Sequence, residues 1–220
     1  SDGLAVTILI NKATSTTTTV GDGPFTYDGT THSGGSGTVT GAGGLNVSAT
    51  SLIYSGDQIN AGSYTVTAHY AGDANHFASD GLAVTILINK ATSTTTNNGV
   101  PSSAVYTGSA QGISGTTVTG AGGLATVATS TVYYDTVGNV LLAGPPTNAG
   151  SYKVVSTYDG DLNHTSSNDI DYFSVGKATL TGLATTQSAL NIAKQGSLVF
   201  SLNSITGMVD GDTVVSLLSS

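Results

Sequence analysis

Eighteen residues, SDGLAVTILINKATSTTT, occupy Ser1–Thr18 and return unchanged at Ser79–Thr96. Such a duplication commits the chain to one supersecondary unit written at least twice, because self-similarity at a fixed period marks a repeat architecture. Further matches keep the same order. SGTVTGAGGL (Ser36–Leu45) returns as SGTTVTGAGGL (Ser114–Leu124), NAGSYTV (Asn60–Val66) as NAGSYKV (Asn148–Val154), and YAGDANH (Tyr70–His76) as YDGDLNH (Tyr158–His164). The NKAT at Asn11 and Asn89 becomes GKAT at Gly176. The matches define module one over residues 13–90 and module two over 91–177, the second longer mainly because DTVGNVLLAGPPT (Asp135–Thr147) replaces a short SGDQI connection. Residues 1–12 then read as the last strand of a preceding module, and 178–220 as the partial opening of a third unit of another subtype.

Periodicity inside the repeat predicts strands. In LAVTILIN, Leu4, Val6, Ile8 and Ile10 fall on one face, and in SYTVTAHY so do Tyr64, Val66, Ala68 and Tyr70, the alternation of a half-buried strand. Module two repeats the pattern with Tyr152, Val154, Ser156 and Tyr158. Gly, Asn and Asp punctuate these runs as turn residues, and Thr, Val, Ile and Tyr suit strands. The expected class is all-β, an elongated array of tandem antiparallel β-sandwiches.

Only 8% of the residues are charged, against about one-quarter in ordinary soluble domains. All the acids are Asp and all the bases Lys, with a net charge of −8. That balance argues against a nucleic-acid partner, since phosphate binding rests on clustered Lys and Arg. No apolar run approaches the roughly 18 residues of a membrane span. With no Cys in the chain, thiol and disulfide chemistry are excluded.

Immunoglobulin sandwiches carry a Tyr near the start of strand F, two residues before a buried Cys, with its hydroxyl bonded back to the backbone. Tyr64 stands two before Val66, and Tyr152 two before Val154. SYTVTAHY therefore reads as strand F, AGDANHFASD as the F–G loop and GLAVTILIN as strand G. The run AGSYTVTAHYAGDANHFASD…VTILINKATSTTT resembles the tandem Ig-like (group 3 type) repeats of large bacterial cell-surface adhesin-like proteins. FTYDGT (Phe25–Thr30) and YTG (Tyr106–Gly108) resemble the related MBG-type modules, as does ITGMVDGDTVVSLL (Ile205–Leu218). The third unit lacks the YG signal of that type, and His76 and His164 stand where a Tyr is common. The resemblance implies stalks, adhesins and extracellular fibres of many specificities.

Chemistry-bearing residues are sparse. DGDLN sets Asp159, Asp161 and Asn163 at alternate positions, half of an oxygen-rich loop for a hard cation, which makes calcium the one cofactor to consider. The bland reading is an Asx-capped turn. The four histidines, His32, His69, His76 and His164, show no metal-ligand spacing. Ser, His and Asp occur without a nucleophile elbow, and no enzyme is expected. Lys12, Lys90 and Lys177 each end a G strand, a placement that resembles that of surface sandwiches in which a buried acid assists a Lys crosslink to an Asn or Asp, and such a Lys must be desolvated and deprotonated. A solvated, edge-protecting Lys is the simpler reading. Asn46 and Asn163 open N-x-S/T matches, chance ones in a bacterial protein, and the Ser and Thr surfaces offer sites for O-linked sugars.

The expected function is a structural stalk or fibre segment of an extracellular bacterial surface protein, its partners being neighbouring modules of the same or identical chains. Two alternatives stand beside it. The Asp135–Thr147 insertion presents Val140, Leu141 and Leu142 to a glycan or to a host or matrix protein. Residues 1–11 form an apolar strand that would complete another chain's open sandwich by β-augmentation.

Overall fold

The structure is a computed structural model and describes residue 4 and residues 6–179. Among these the chain is all-β. The first repeat contributes β1 (Ser15–Val20), β2 (Phe25–Thr26), β3 (Ser36–Gly41), β4 (Leu45–Ser48), β5 (Ser51–Ser55), β6 (Gly62–Tyr70), β7 (Ser79–Asp80) and β8 (Val84–Asn89). The second contributes β9 (Ser93–Asn98), β10 (Ala104–Val105), β11 (Gly115–Gly120), β12 (Leu124–Thr126), β13 (Ser130–Asp135), β14 (Val140–Leu141), β15 (Gly150–Tyr158) and β16 (Ser167–Gly176). A single 3₁₀ turn, Ala42–Gly44 or Ala121–Gly123, joins β3 to β4 and β11 to β12.

Each repeat builds one three-stranded and one five-stranded sheet. In the first these are β1-β3-β4 and β2-β8-β6-β5, with β7 also on β6. In the second they are β12-β11-β9 and β10-β16-β15-β13-β14. The pairings are antiparallel except for two short edge strands, β2 on β8 and β10 on β16, which run parallel.

The chain divides into two compact units that do not follow the repeat boundaries. Unit one takes the chain up to Thr94 together with Val118–Thr126 and Asp159–Ser167. Unit two takes Thr95–Thr117, Val127–Tyr158 and the chain from Asn168. The core of unit one gathers Tyr64, Val66, Ile86 and Ile88, with Phe25, Tyr27 and Leu52 packed against them. The core of unit two gathers Tyr133, Tyr152, Val154, Phe173 and Val175.

The predicted alternation on the two long strands is realised: Tyr64, Val66, Ala68 and Tyr70 are buried on β6, and Tyr152, Val154, Ser156 and Tyr158 on β15. β3 and β6 approach closely, because a Cβ added at Gly37 would stand 2.3 Å from the Ala68 Cβ.

Two expectations about elements need correction. The predicted F–G loop over residues 71–80 contains a short strand, β7, whose Ser79 and Asp80 pair with Tyr70 and His69. The predicted strand over residues 4–11 is absent: Leu4 and Val6–Asn11 lie outside any strand and are exposed. The identical letters at 82–89 supply β8. There β6 accepts the strand from Gly62↔Ile88 to Val66↔Val84, and Ile86 is 2% exposed where its counterpart Ile8 is 83% exposed. An extended segment is a strand only when a neighbour takes its N–H and C=O groups.

Candidate functional site

Both repeats share an aspartate followed two residues on by Asn-His, at Asp73–His76 and Asp161–His164. In Asp73-Ala74-Asn75-His76, the Asp73 Oδ1 accepts from the Asn75 N–H at 2.7 Å and the His76 N–H at 2.6 Å. That closes the turn predicted for Asx side chains. The His76 ring is then fixed from both sides, Nδ1 at 2.9 Å from Asp73 Oδ1 and Nε2 at 2.9 Å from the Ala42 carbonyl oxygen.

Burial pushes the Asp73 carboxyl up, but the donors of Asn75, Tyr70 and His76 outweigh it and hold the pKa at about 2. An ionised carboxylate and a carbonyl only accept hydrogen bonds, so both contacts are satisfied together only when the His76 ring carries a proton on each nitrogen. The Ala42 carbonyl and the Asp73 carboxylate accordingly raise its pKa. The second copy repeats the geometry. His164 Nδ1 lies 2.9 Å from Asp161 Oδ1, and Nε2 lies 2.9 Å from the Ala121 oxygen.

Each loop also grips the segment that enters its own repeat. Ala13 N–H donates to the Asn75 oxygen at 2.7 Å, and Phe77 N–H donates to the Ala13 oxygen at 2.9 Å. Lys12 Nζ donates to the Asp73 main-chain oxygen at 2.6 Å. Ala91 bonds to Asn163 and Thr165 in the same way, and Lys90 Nζ reaches the Asp161 oxygen. The NKAT motif is therefore the strap of a clamp whose jaw is GD-x-N-H.

Two of the three candidate cation ligands, Asp161 and Asn163, take part in hydrogen bonds of this loop. Asp161 Oδ1 accepts from the Asn163 and His164 N–H groups, and Asn163 Oδ1 accepts from the Ala61 N–H at 2.9 Å. Asp159 lies beside this loop, where β15 ends. Among the described residues no three His, Cys, Asp or Glu side chains gather as a metal set.

Lys12 and Lys90 hold main-chain carbonyls at exposed positions, and Lys177 is exposed. None meets the desolvation that a Lys crosslink requires. In the insertion, Val140 and Leu141 form the edge strand β14, 56% and 60% exposed. Leu142 instead turns inward, packs on the unit-two core and donates its N–H to the Tyr133 oxygen.

Unit one contains a contact that sequence reasoning missed. Asn163 Nδ2 donates to Asn60 Oδ1 at 2.8 Å while its Oδ1 takes the Ala61 N–H. The Tyr27 ring stands edge-on to His164 at 5.3 Å. Gly122, at φ +64°, leaves room for Tyr27: an added Cβ would lie 2.6 Å from its hydroxyl oxygen. The duplicated GAGG and D-x-N-H motifs were the available signal, since two surface loops with the same spelling share more than a turn. No protein-family model matches the chain, and no curated protein matches it either.

Proposed function

We propose that the chain is a structural segment of tandem Ig-like β-sandwiches, a stalk or fibre element of an extracellular bacterial surface protein. The observation that carries this reading is the clamp, built twice with the same hydrogen bonds on the connection into each repeat. Pinning the entering segment to the repeat's own loop makes each repeat a self-contained unit, which suits a stack of spacers. The resemblance to group 3 type and MBG-type repeats of adhesin-like proteins points the same way, and so does the low-charge surface rich in Ser and Thr.

Antibody labelling and protease shaving of intact cells test the placement. Accessible repeats that survive protease are expected, and recovery only from the cytosolic fraction would overturn it.

Two further readings have an observation each. Exposed Val140 and Leu141 on an edge strand favour a glycan- or protein-binding module, and glycan-array binding that disappears when both become Ser would select it. Exposed residues 6–10, spelled like β8, favour a strand-exchanging filament subunit.

A further inference from the structure

Of all the asparagines in the chain, only Asn98 is followed by glycine, the one residue with no side chain to shield its own amide nitrogen. Asn98 ends β9 and is half-buried, and Gly99 turns out of the strand, exposed, at φ +65°. A Cβ added at Gly99 would stand 2.4 Å from the Ser114 Oγ, so glycine alone fits there. Among the described residues the Asn98 side-chain amide makes no hydrogen bond, which leaves it free to turn onto the nitrogen that follows.

Ser114 supplies the other half. Its N–H and its Oγ–H both donate to the Asn98 carbonyl oxygen, at 2.7 Å and 3.0 Å. That oxygen belongs to the peptide bond whose nitrogen is that of Gly99. When the nitrogen loses its proton, the charge spreads onto this oxygen, where two donors already point. The first repeat has neither part. Val20 ends β1 before Gly21, and Gly35 stands before β3 where Ser114 stands before β11.

We infer that Asn98, Gly99 and Ser114 form a self-modifying site at which Asn98 is converted to aspartate and isoaspartate. The Gly99 nitrogen gives up its proton and bonds to Asn98 Cγ. The Cγ–Nδ2 bond breaks, and the amide nitrogen leaves as ammonia, taking a proton with it. The cyclic imide then takes up one water. Attack at Cγ opens it to aspartate, whereas attack at the main-chain carbonyl carbon opens it to isoaspartate, with the chain running on through Cβ and Cγ. Ser114 keeps its donors on that second carbonyl, which stabilises the oxyanion there and favours isoaspartate. The old carbonyl becomes a carboxylate held by the same donors, and the main chain at the end of β9 lengthens by one atom. This inference goes beyond the stalk reading and does not depend on it.

The test incubates the purified chain at neutral pH for days, digests it, and follows the amide-to-acid mass gain at each asparagine, with electron-transfer fragmentation separating the two acids. Asn98 is expected to convert at least about tenfold faster than any other asparagine, mainly to isoaspartate, and Asn98→Gln to leave that peptide unchanged. Ser114→Ala removes one of the two donors to the developing charge. It is expected to slow conversion about tenfold and to raise the share of aspartate, a difference that vanishes in denaturant. Ser114→Thr keeps the hydroxyl and with it the rate. A folded chain whose Asn98 stays intact, or in which Ser114→Ala converts as fast as the parent, overturns the inference. Either outcome leaves surface accessibility, and with it the stalk reading, untouched.

Discussion

Tyr64 and Tyr152 occupy the same place in the repeat but do different structural jobs, and removing one oxygen from each separates them. The Tyr64 hydroxyl donates to the His32 oxygen at 2.6 Å and accepts from the Gly34 N–H at 3.2 Å, in a side chain that is 2% exposed. It ties β6 to the connection between β2 and β3. The Tyr152 hydroxyl makes one bond, 2.8 Å to the oxygen of Asn148 four residues earlier, the local corner expected from the sequence. The cross-chain role falls in unit two to Tyr133, whose hydroxyl accepts from the Ile113 N–H at 3.2 Å.

Tyr64→Phe therefore orphans a buried donor and a partly buried acceptor, at about 2–3 kcal/mol. Tyr152→Phe frees an acceptor that water reaches, at about 0.5–1.5 kcal/mol. With two units, one melting temperature is poorly defined, so amide exchange read separately on β6 and β15 is the suitable assay. Tyr64→Phe is expected to lower protection on β6 about 30- to 150-fold, and Tyr152→Phe to lower that on β15 about 2- to 12-fold. An equal or larger loss for Tyr152→Phe would refute the reasoning, since the cost would then follow the ring's place and not its bonds.

The His76–Asp73 pair should make clamp stability depend on pH. The folded pKa of His76 is raised, so its contribution is complete below about pH 6.5 and drains as the pH rises through the folded value. That of Asp73 is depressed to about 2, so its contribution is present above about pH 4 and lost as the pH falls toward 2. Exchange at the Ala13 and Phe77 amides should be slowest between those limits, and His76→Gln should flatten the alkaline side. Gly37→Val should overpack β3 against Ala68 and Ala49 and destabilise unit one by about 1–3 kcal/mol, measured as lost protection on β6. Val140→Ser with Leu141→Ser should cost under about 0.5 kcal/mol each, as exposed substitutions do, whereas Leu142→Ser should loosen unit two by denaturant unfolding. That difference lets any ligand assay separate lost binding from lost fold.

What the sequence discloses and what it withholds divides along local and non-local causes. The β6 and β15 faces were legible because burial on one side of a sheet imposes a period of two on the chain itself. The Asx turn at Asp161 was legible because its donors lie only two and three residues away. The closure of His76 on Ala42 spans 34 residues, and no spacing rule announces it. The same holds for Tyr64 reaching His32. Substitution between the repeats hides more: the position of Gly37, which lets β3 press on Ala68, is filled in the second copy by Thr116, whose Oγ1 accepts the Ala128 N–H instead. The duplicated letters show the limit best. VTILIN at 84–89 is a half-buried strand and VTILIN at 6–11 lies in no strand or helix, although every local propensity is identical. The difference is the presence of β6 on one side and β2 on the other. Sequence specifies which face of such a segment would be buried; the neighbour decides whether it is.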